Sequence, residues 1–195
     1  MNTEIEIFGG CHSSCYISRK LTPESAKNLA FRHSLSNYFI GQDIKPKSNG
    51  NMAVSMLERG EIQHIRDMCP DIGRLAVRDL IPKILDPMPE SALEQLDLNV
   101  IDIDFYSRRL GKTCLVLVLD DPDKILFTER QIFTNRLSKD IRCRHWEPHL
   151  TIAKINEANP VSEIKDWVES RCPASISVDP VSAKGIVLPS YAFSK

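Results

Sequence analysis

The sequence predicts one domain of mixed structure, α+β or α/β, in which two βαβ-like lobes follow one another along the chain. Two observations predict this class. Short runs with strand periodicity alternate with longer runs of helical periodicity, and 195 residues with 42% hydrophobic and 26% charged side chains suit one globular domain. We therefore expect a single domain over residues 1–195, with one lobe at about 11–96 and the other at about 97–195.

The first lobe opens with a short strand and a clear helix start. Residues 15–18 are a strand candidate, and Thr22-Pro23 supplies a capping side chain followed by proline at the first helical position. Four residues of the following helix are predicted to share one face: Ala26, Leu29, Ala30 and His33.

A polar turn separates this helix from a second strand. The turn spans 45–50 and is rich in Pro, Asn and Gly, and the run 52–57 after it is predicted to be a strand. A helical pattern then covers 62–85, interrupted at Pro70 and Pro82, because proline removes a helical hydrogen bond.

The second lobe begins with two strands and a helix. Residues 100–105 alternate and predict a strand with one wet face, whereas 113–119 is almost continuously apolar and predicts a buried strand. Residues 120–123 have the composition of a helix start. The apolar face of the helix is predicted to comprise Ile125, Leu126, Ile132, Phe133 and Leu137.

The rest of the chain predicts a strand, a helix and two closing strands. The strand covers 148–155, and the helix begins at Pro160. The closing strands are expected at 176–178 and 186–188. The buried stripe of the helix is predicted to be Val161, Ile164, Trp167 and Val168.

Composition excludes several classes of function. Twenty-five basic and 26 acidic residues give a net charge of −1, so the chain is no polycation that coats nucleic acid, although a local site for one phosphate is compatible with it. No apolar run approaches the ~18 residues of a membrane span. The first residues lack the basic and apolar regions of a signal peptide, and the six scattered cysteines predict reduced thiols without a zinc site. We expect a cytoplasmic chain.

The stretch 144–155 carries the clearest chemistry. On a strand, His149 and Thr151 project from one face while Leu150 projects from the other. An imidazole can transfer a proton near neutral pH, and a hydroxyl can hold an anionic oxygen. Spacing alone also fits the commoner case of a His and a Thr on the solvent face of an edge strand.

Pro148-His149-Leu150-Thr151 resembles the second HxT motif of the 2H phosphoesterase superfamily, which includes 2′-5′ RNA ligase-like proteins and RNA cyclic phosphodiesterases. Arg144-His145-Trp146 before it is similar to the viral 2′,5′-phosphodiesterases of that superfamily. The resemblance extends over 97–188 and, more loosely, over 15–96. It implies an α+β, LigT-like fold with two pseudo-symmetric lobes around a central groove.

The superfamily requires a first motif, and the matching strand departs from it. Residues 53–57 have the form H-x-S with an apolar tail, except that Ala53 stands where histidine is expected and Ser55 supplies the hydroxyl. Either the protein has lost this histidine and become a binding module, or Ala53 is an engineered His→Ala change. The intact remainder of both motifs favours the engineered change.

The other histidines fit the motif poorly. His12-Ser13-Ser14 also has the form H-x-S, but it precedes the first helix, where the superfamily has no motif. Three further histidines lack a hydroxyl two residues later and are interpreted as helix or loop residues: His33, His64 and His145.

The resemblance implies a metal- and cofactor-independent phosphodiesterase. Its catalytic residues would be His149, Thr151, Ser55 and the histidine expected at Ala53. One histidine would act as general base and the other as general acid, while the hydroxyls hold phosphate oxygens. This chain would then be the inactive His→Ala form.

The favoured substrate is 2′-5′-linked oligoadenylate or a related signalling nucleotide, an activity suited to immune evasion by a virus or phage. The alternatives are a 2′,3′-cyclic phosphodiesterase on RNA ends, a noncatalytic nucleotide- or RNA-binding module, and a protein that uses the fold only to bind a partner.

Substrate contacts are predicted from residue type. Tyr16, Trp146 and Tyr191 are candidates for stacking on a base, although each also suits core packing. Four arginines are further candidates for phosphate contacts: Arg19, Arg108, Arg109 and Arg144. The expected partner is an oligonucleotide or cyclic nucleotide substrate bound by a monomer, with no obligatory protein partner and no membrane.

Overall fold

The computed structural model describes residues 14–108, 112–138, 146–156 and 162–186. Within them the chain forms one antiparallel sheet flanked by helices. Its strands are β1 (Ser14–Leu21), β2 (Ile44–Pro46), β3 (Ala53–Leu57), β4 (Leu96–Arg108), β5 (Lys112–Leu119), β6 (His149–Ile155) and β7 (Ser175–Ile186). The helices are α1 (Pro23–Asn28), α2 (Leu35–Tyr38), α3 (Arg59–Met68), α4 (Pro70–Gly73), α5 (Val77–Leu85), α6 (Ile125–Leu137) and α7 (Ser162–Glu169). Short 3₁₀ turns lie at Ala30–Ser34, Asn49–Asn51, Glu90–Leu93 and Pro122–Lys124.

The sheet has the order β2-β6-β3-β1-β7-β4-β5, and β5 also pairs with β6. Every strand pair assigned within the described residues is antiparallel. Strands on either side of a helical segment, such as β1 and β3 or β5 and β6, therefore pair antiparallel. The class is α+β, and the alternative of a parallel α/β sheet is excluded.

Two strands cross between the halves of the chain. Strand β2, from the first half, pairs with β6, whereas β7, from the second half, pairs with β1. This exchange ties the halves together. The assignment of two lobes to about 11–96 and 97–195 stays a prediction.

The strands bury alternate side chains beneath the sheet. Ile17, Val54, Leu117 and Leu150 are completely buried there, together with Phe133 of α6. Burial of such side chains from several strands and a helix forms one core. None of the helices in the described part of the chain is long and apolar enough to cross a membrane, and the four described cysteines are free thiols.

The face predicted for α6 is partly wrong. Ile125 and Ile132 are only half-buried, whereas Glu129 and Arg130 are almost completely buried. The buried charges are stable there because each has a partner from another element. Glu129 accepts a 2.6 Å hydrogen bond from Arg19 of β1, and the guanidinium of Arg130 binds Glu61 of α3.

The first helix also differs from its predicted face. Helix α1 begins with the predicted Thr22 cap, but it ends at Asn28 and a 3₁₀ turn with a shorter period follows. Arg32 is consequently buried, and Ala30 and His33 are exposed. The guanidinium of Arg32 is satisfied by backbone carbonyls, including the Lys47 oxygen at 2.8 Å.

The two strands predicted at the end are one strand as far as the structure describes them. Strand β7 runs through Pro180, at a register irregularity between the β1 partners Arg19 and Leu21. Proline cannot donate a ladder hydrogen bond, so within a sheet it is tolerated at an irregular point such as this one. Residues 187 and 188, and Val161 of the predicted helical stripe, lie outside the described residues, while Ile164, Trp167 and Val168 are buried as predicted.

Candidate active site

A pocket of about 470 Å³ opens on the sheet face that carries the predicted motifs. Strands β1, β3 and β6 form its floor, and the segments after β2 and β3 form its walls. It brings together all four predicted catalytic positions and one predicted aromatic contact. The lining residues are Tyr16, Ser18, Lys20, Lys47, Gly50, Asn51, Ala53, Ser55, Glu58, Arg59, His149, Thr151 and Lys154.

Strands β3 and β6 meet at one residue pair, Val54 and Leu150. Both side chains are completely buried beneath the pocket. Because the two strands run antiparallel, Ala53 lies across from Thr151 and Ser55 lies across from His149. A local twofold at the Val54–Leu150 pair relates positions that are equally far along the two strands, so Ala53 is equivalent to His149 and Ser55 to Thr151.

The two strands share their burial and their irregularity. Residues 53–57 and 149–153 each run half-buried, buried, half-buried, buried, buried. Each strand carries one extra residue relative to its outer neighbour, Met56 against β1 and Ile152 against β5. Such an insertion is a β-bulge and reverses the alternation of side chains after it. The two motif strands therefore offer the same local geometry to a ligand.

His149 is held in one tautomer by its own backbone neighbourhood. Its Nδ1 lies 2.9 Å from the Glu147 carbonyl oxygen. A carbonyl can only accept, so Nδ1–H donates and Nε2 of the neutral ring remains the proton acceptor. This is the arrangement that a histidine acting as a general base requires.

Tyr106 of β4 supports the same imidazole. The two rings meet edge to face, with centroids 4.9 Å apart, and the Tyr106 hydroxyl donates to the Glu147 carboxylate. Burial, followed by the hydrogen bond and charge of Glu147, raises the pKa of Tyr106 above its ordinary value. The hydroxyl thus stays protonated and continues to hold the segment that holds His149.

Position 53 offers no comparable group. Ala53 is half-buried in the pocket and presents only a methyl group. Ser55 and Thr151, also half-buried, each present a hydroxyl that can donate to a phosphate oxygen. The two motif positions on each strand therefore supply two hydroxyls, from Ser55 and Thr151, but one imidazole where the motif pattern predicts two.

Cations dominate the lining of the pocket. Among the described residues, four basic side chains line it, from Lys20, Lys47, Arg59 and Lys154, against the single carboxylate of Glu58. None of these residues was predicted from the sequence as part of the site. Simple alternation along β6 would turn Lys154 away from His149 and Thr151, and only the bulge at Ile152 brings it to their face.

Of the residues predicted to contact substrate, one lines the pocket, two are packed elsewhere and the rest are not described. Tyr16 lines the pocket, but Trp146 does not: it packs against the core with the Arg130 guanidinium 5.0 Å from its ring centroid. Arg19 is no phosphate ligand, because it is completely buried against Glu129. Tyr191, Arg109, Arg144 and the side chain of Arg108 lie outside the described residues.

The other histidines contribute nothing to the pocket where they are described. His33 and His64 are exposed on a 3₁₀ turn and on α3, as helix residues, whereas His12 and His145 lie outside the described residues. Over the described ranges, no three His, Cys, Asp or Glu side chains stand close enough together to hold a metal ion.

Comparison with known proteins gives a fold. No protein-family model matches the chain, and no curated protein matches it. Among solved structures, E. coli LigT complexed with NADP+ is 13% identical with a TM-score of 0.58, over 92% of this chain and 90% of that one. LigT complexed with 3′-AMP is 12% identical with a TM-score of 0.58, over 91% and 90%.

Kluyveromyces marxianus Usb1 is similar as well, at 9% identity and a TM-score of 0.51, over 89% of this chain and 94% of that one. At such identities a structural match establishes the fold alone. The match agrees at the level of the fold with the resemblance drawn from Pro148-His149-Leu150-Thr151: the chain has a LigT-like fold.

Proposed function

We propose that this protein is a metal-independent phosphodiesterase scaffold for 2′-5′-linked oligoadenylate or a related RNA-type nucleotide, inactive in this chain because Ala53 replaces a catalytic histidine. One observation carries the proposal. The couples Ala53/Ser55 and His149/Thr151 are related across the Val54–Leu150 pair and face one pocket. Such a site lacks one imidazole but has the other imidazole and the two hydroxyls that phosphodiester cleavage by two histidines requires.

The chemistry follows from the two couples. Nε2 of His149 can accept a proton from a water or ribose hydroxyl that attacks phosphorus. A protonated histidine at position 53 would donate to the leaving oxygen, and the roles reverse if the leaving group lies on the other side. The hydroxyls of Ser55 and Thr151 would donate to non-bridging oxygens as negative charge develops on them.

Electrostatics supports an anionic substrate. Within the described lining of the pocket, four cations and one carboxylate give a local excess of basic residues on a chain whose net charge is −1. A concave site of one sign attracts ligands of the other sign. Tyr16 provides an aromatic surface in the same pocket, which suits a nucleobase.

Restoration of the histidine tests the proposal. Ala53→His and the present chain would be assayed in EDTA against 2′-5′ oligoadenylate, 2′,3′-cyclic nucleotides and cyclic dinucleotides. We expect turnover in Ala53→His about 10²- to 10⁴-fold above that of the present chain, the usual contribution of one positioned acid or base. The control, Ala53→His with His149→Ala, should lose that gain.

The three substrates separate the rival activities. Preference for 2′-5′ oligoadenylate supports the favoured substrate, and preference for 2′,3′-cyclic nucleotides assigns the protein to RNA ends. Absence of turnover on all three in Ala53→His contradicts the proposed activity.

The second candidate is a noncatalytic nucleotide- or RNA-binding module, and Ala53 is the observation that favours it. In that case binding would be retained in the present chain, and Ala53→His would add no turnover. Titration of the present chain with the same three ligands, beside the assay, distinguishes a binder from a protein that uses the fold without a nucleotide.

A further inference from the structure

The pocket has two chemically different ends. Strand pairing places Ser18 beside Ser55 and Lys20 beside Ala53. The floor therefore consists of two rows across the strands: the Ser55 row continues to His149, and the Ala53 row continues to Thr151. Beyond the Ala53 row, the walls come from Lys47, Gly50, Asn51 and Lys154. Beyond the Ser55 row, they come from Tyr16, Glu58 and Arg59.

Three lysines converge at the first of these ends, hereafter the lysine end, defined by Lys20, Lys47 and Lys154. Lys20 neighbours Ala53 on the adjacent strand. Lys154 reaches the pocket face because of the bulge at Ile152. The Lys47 backbone is fixed beside the same bulge, since its N–H donates to the Ile152 carbonyl at 2.8 Å.

The described residues of the lysine end carry positive charge and no negative charge. Among them, the four that line the pocket beyond the floor include no carboxylate, whereas Glu58 stands next to Arg59 at the opposite end. Just before β2, the carboxylate of Asp43 pairs with Lys45 at 3.5 Å, and Lys45 does not line the pocket. The lysines that line the described part of the pocket are therefore concentrated at one end.

The lysine end also lies beyond the phosphate position between the two hydroxyls. Lys154 follows Thr151 by three residues, one of them bulged, which corresponds to about 7–10 Å along a strand. A phosphate held by Ser55 and Thr151 would leave Lys154 available to a different anionic group. Lys20 and Lys154 are both exposed and can adapt to such a group.

We propose that Lys20, Lys47 and Lys154 form a second anion subsite, which binds a phosphate of the nucleotide other than the one held between Ser55 and Thr151. The inference rests on the proposed function in one respect: it assumes that a phosphodiester binds between the hydroxyls of Ser55 and Thr151. The ligand class is an oligonucleotide with an additional phosphate on one side, oriented with its nucleoside at Tyr16 and its extra charge at the lysine end.

Binding of three dinucleotides to the present chain tests the subsite. They are diadenylate without a terminal phosphate, the same dinucleotide with a 5′-phosphate, and the same with a 3′-phosphate, titrated calorimetrically in EDTA. We expect one terminal phosphate to tighten binding about tenfold, as one added charge-assisted contact does. The gain should shrink as salt rises, because the lysines are exposed.

Lysine variants locate the gain. Lys20→Gln and Lys154→Gln should bind all three dinucleotides with nearly equal affinity. The matched control is Lys83→Gln, which removes the same charge from an exposed position on α5 outside the pocket and should keep the full gain. Thermal unfolding verifies that each variant is folded. We expect all of them to fold, because the substituted side chains are exposed.

The outcomes separate the two proposals. If neither terminal phosphate tightens binding, or if the gain persists in both Lys20→Gln and Lys154→Gln, the subsite is refuted while the unphosphorylated dinucleotide still reports on the central site. If none of the three dinucleotides binds at all, the proposed function falls with it.

Discussion

Strands β3 and β6 are two versions of one structure that differ in a single functional group. Each has the same order of buried and half-buried residues, each has one bulged residue, and they touch at Val54 and Leu150. Of the two strands, only β6 carries an imidazole, that of His149. Tyr106 and Glu147 hold this imidazole in place.

The difference shows that the backbone of a motif strand does not depend on a histidine at its first position. The alternating apolar residues set the strand geometry, because burial of Val54 and Met56 under β3 does the same as burial of Leu150 and Ile152 under β6. A methyl group at position 53 is therefore compatible with an intact site.

The largest expected effect is a loss of stability when the buried ion pair between β1 and α6 is broken. Arg19 of β1 is completely buried and holds Glu129 of α6 at 2.6 Å. Arg19→Met would leave a buried carboxylate without its cation, which costs about 3–5 kcal/mol. Urea unfolding should show a loss of that size in the free energy of unfolding.

A paired substitution provides the control for this loss. Arg19→Met with Glu129→Leu removes both charges and should recover part of the stability, because no isolated charge remains. Recovery is incomplete because the carbonyls of Ser91, Glu94 and Asp179 lose the Arg19 donor. A loss below about 1 kcal/mol in Arg19→Met alone would contradict the role of the pair, since it would lie within the range of an exposed ion pair.

The second effect compares the two hydroxyls directly. If the couples are equivalent, Ser55→Ala and Thr151→Val in the Ala53→His background should each lower kcat about 10²-fold, the lower end of the cost of removing one donor to a developing charge. The two losses should agree within about tenfold. A large loss at Thr151 with none at Ser55 would mean that only β6 contacts the phosphate.

The smallest effect sharpens what is special to β6. Tyr106→Phe keeps the ring against His149 but removes the hydroxyl that donates to Glu147. The free energy of unfolding at pH 7 should fall by about 0.5–1.5 kcal/mol, the net worth of one hydrogen bond. Urea unfolding measures it, and an unchanged value would show that the bond does not stabilise the segment.

Alkaline pH gives the same substitution a second readout. The raised pKa of Tyr106 means that the folded protein keeps its phenolic proton where the unfolded chain loses it. Above the ordinary tyrosine pKa of about 10, the folded state thus binds more protons, and its stability falls as pH rises. Tyr106→Phe should show a shallower fall there, and an equal slope in both proteins would contradict this assignment.

The residues that the sequence predicted to share one face do so, whereas the cations around them were not predicted. Ser55, His149 and Thr151 could be placed on one face because period-two alternation and the apolar tails of both strands identify that face without tertiary information. Lys154 could not, since a one-residue bulge against β5 reverses its side. The cationic half of the pocket therefore remained hidden in the sequence.

The fold shows the same limit. The class, the Thr22 cap and strands β3 and β6 follow from local patterns. Burial of Glu129 could not be predicted from helical periodicity, because its partner Arg19 is 110 residues away. Pairing between distant charges overrides a polar residue's preference for the surface, and local patterns contain no information about it.

The pH dependence of kcat/KM in Ala53→His tests most directly whether β3 and β6 are equivalent half-sites. Two histidines in opposite protonation states give a bell-shaped profile, and removal of either leaves a single limb. We predict a bell in Ala53→His that loses one limb in Ala53→His with His149→Ala. A profile with one ionisation in Ala53→His itself, or activity no higher than in the present chain, would contradict the equivalence.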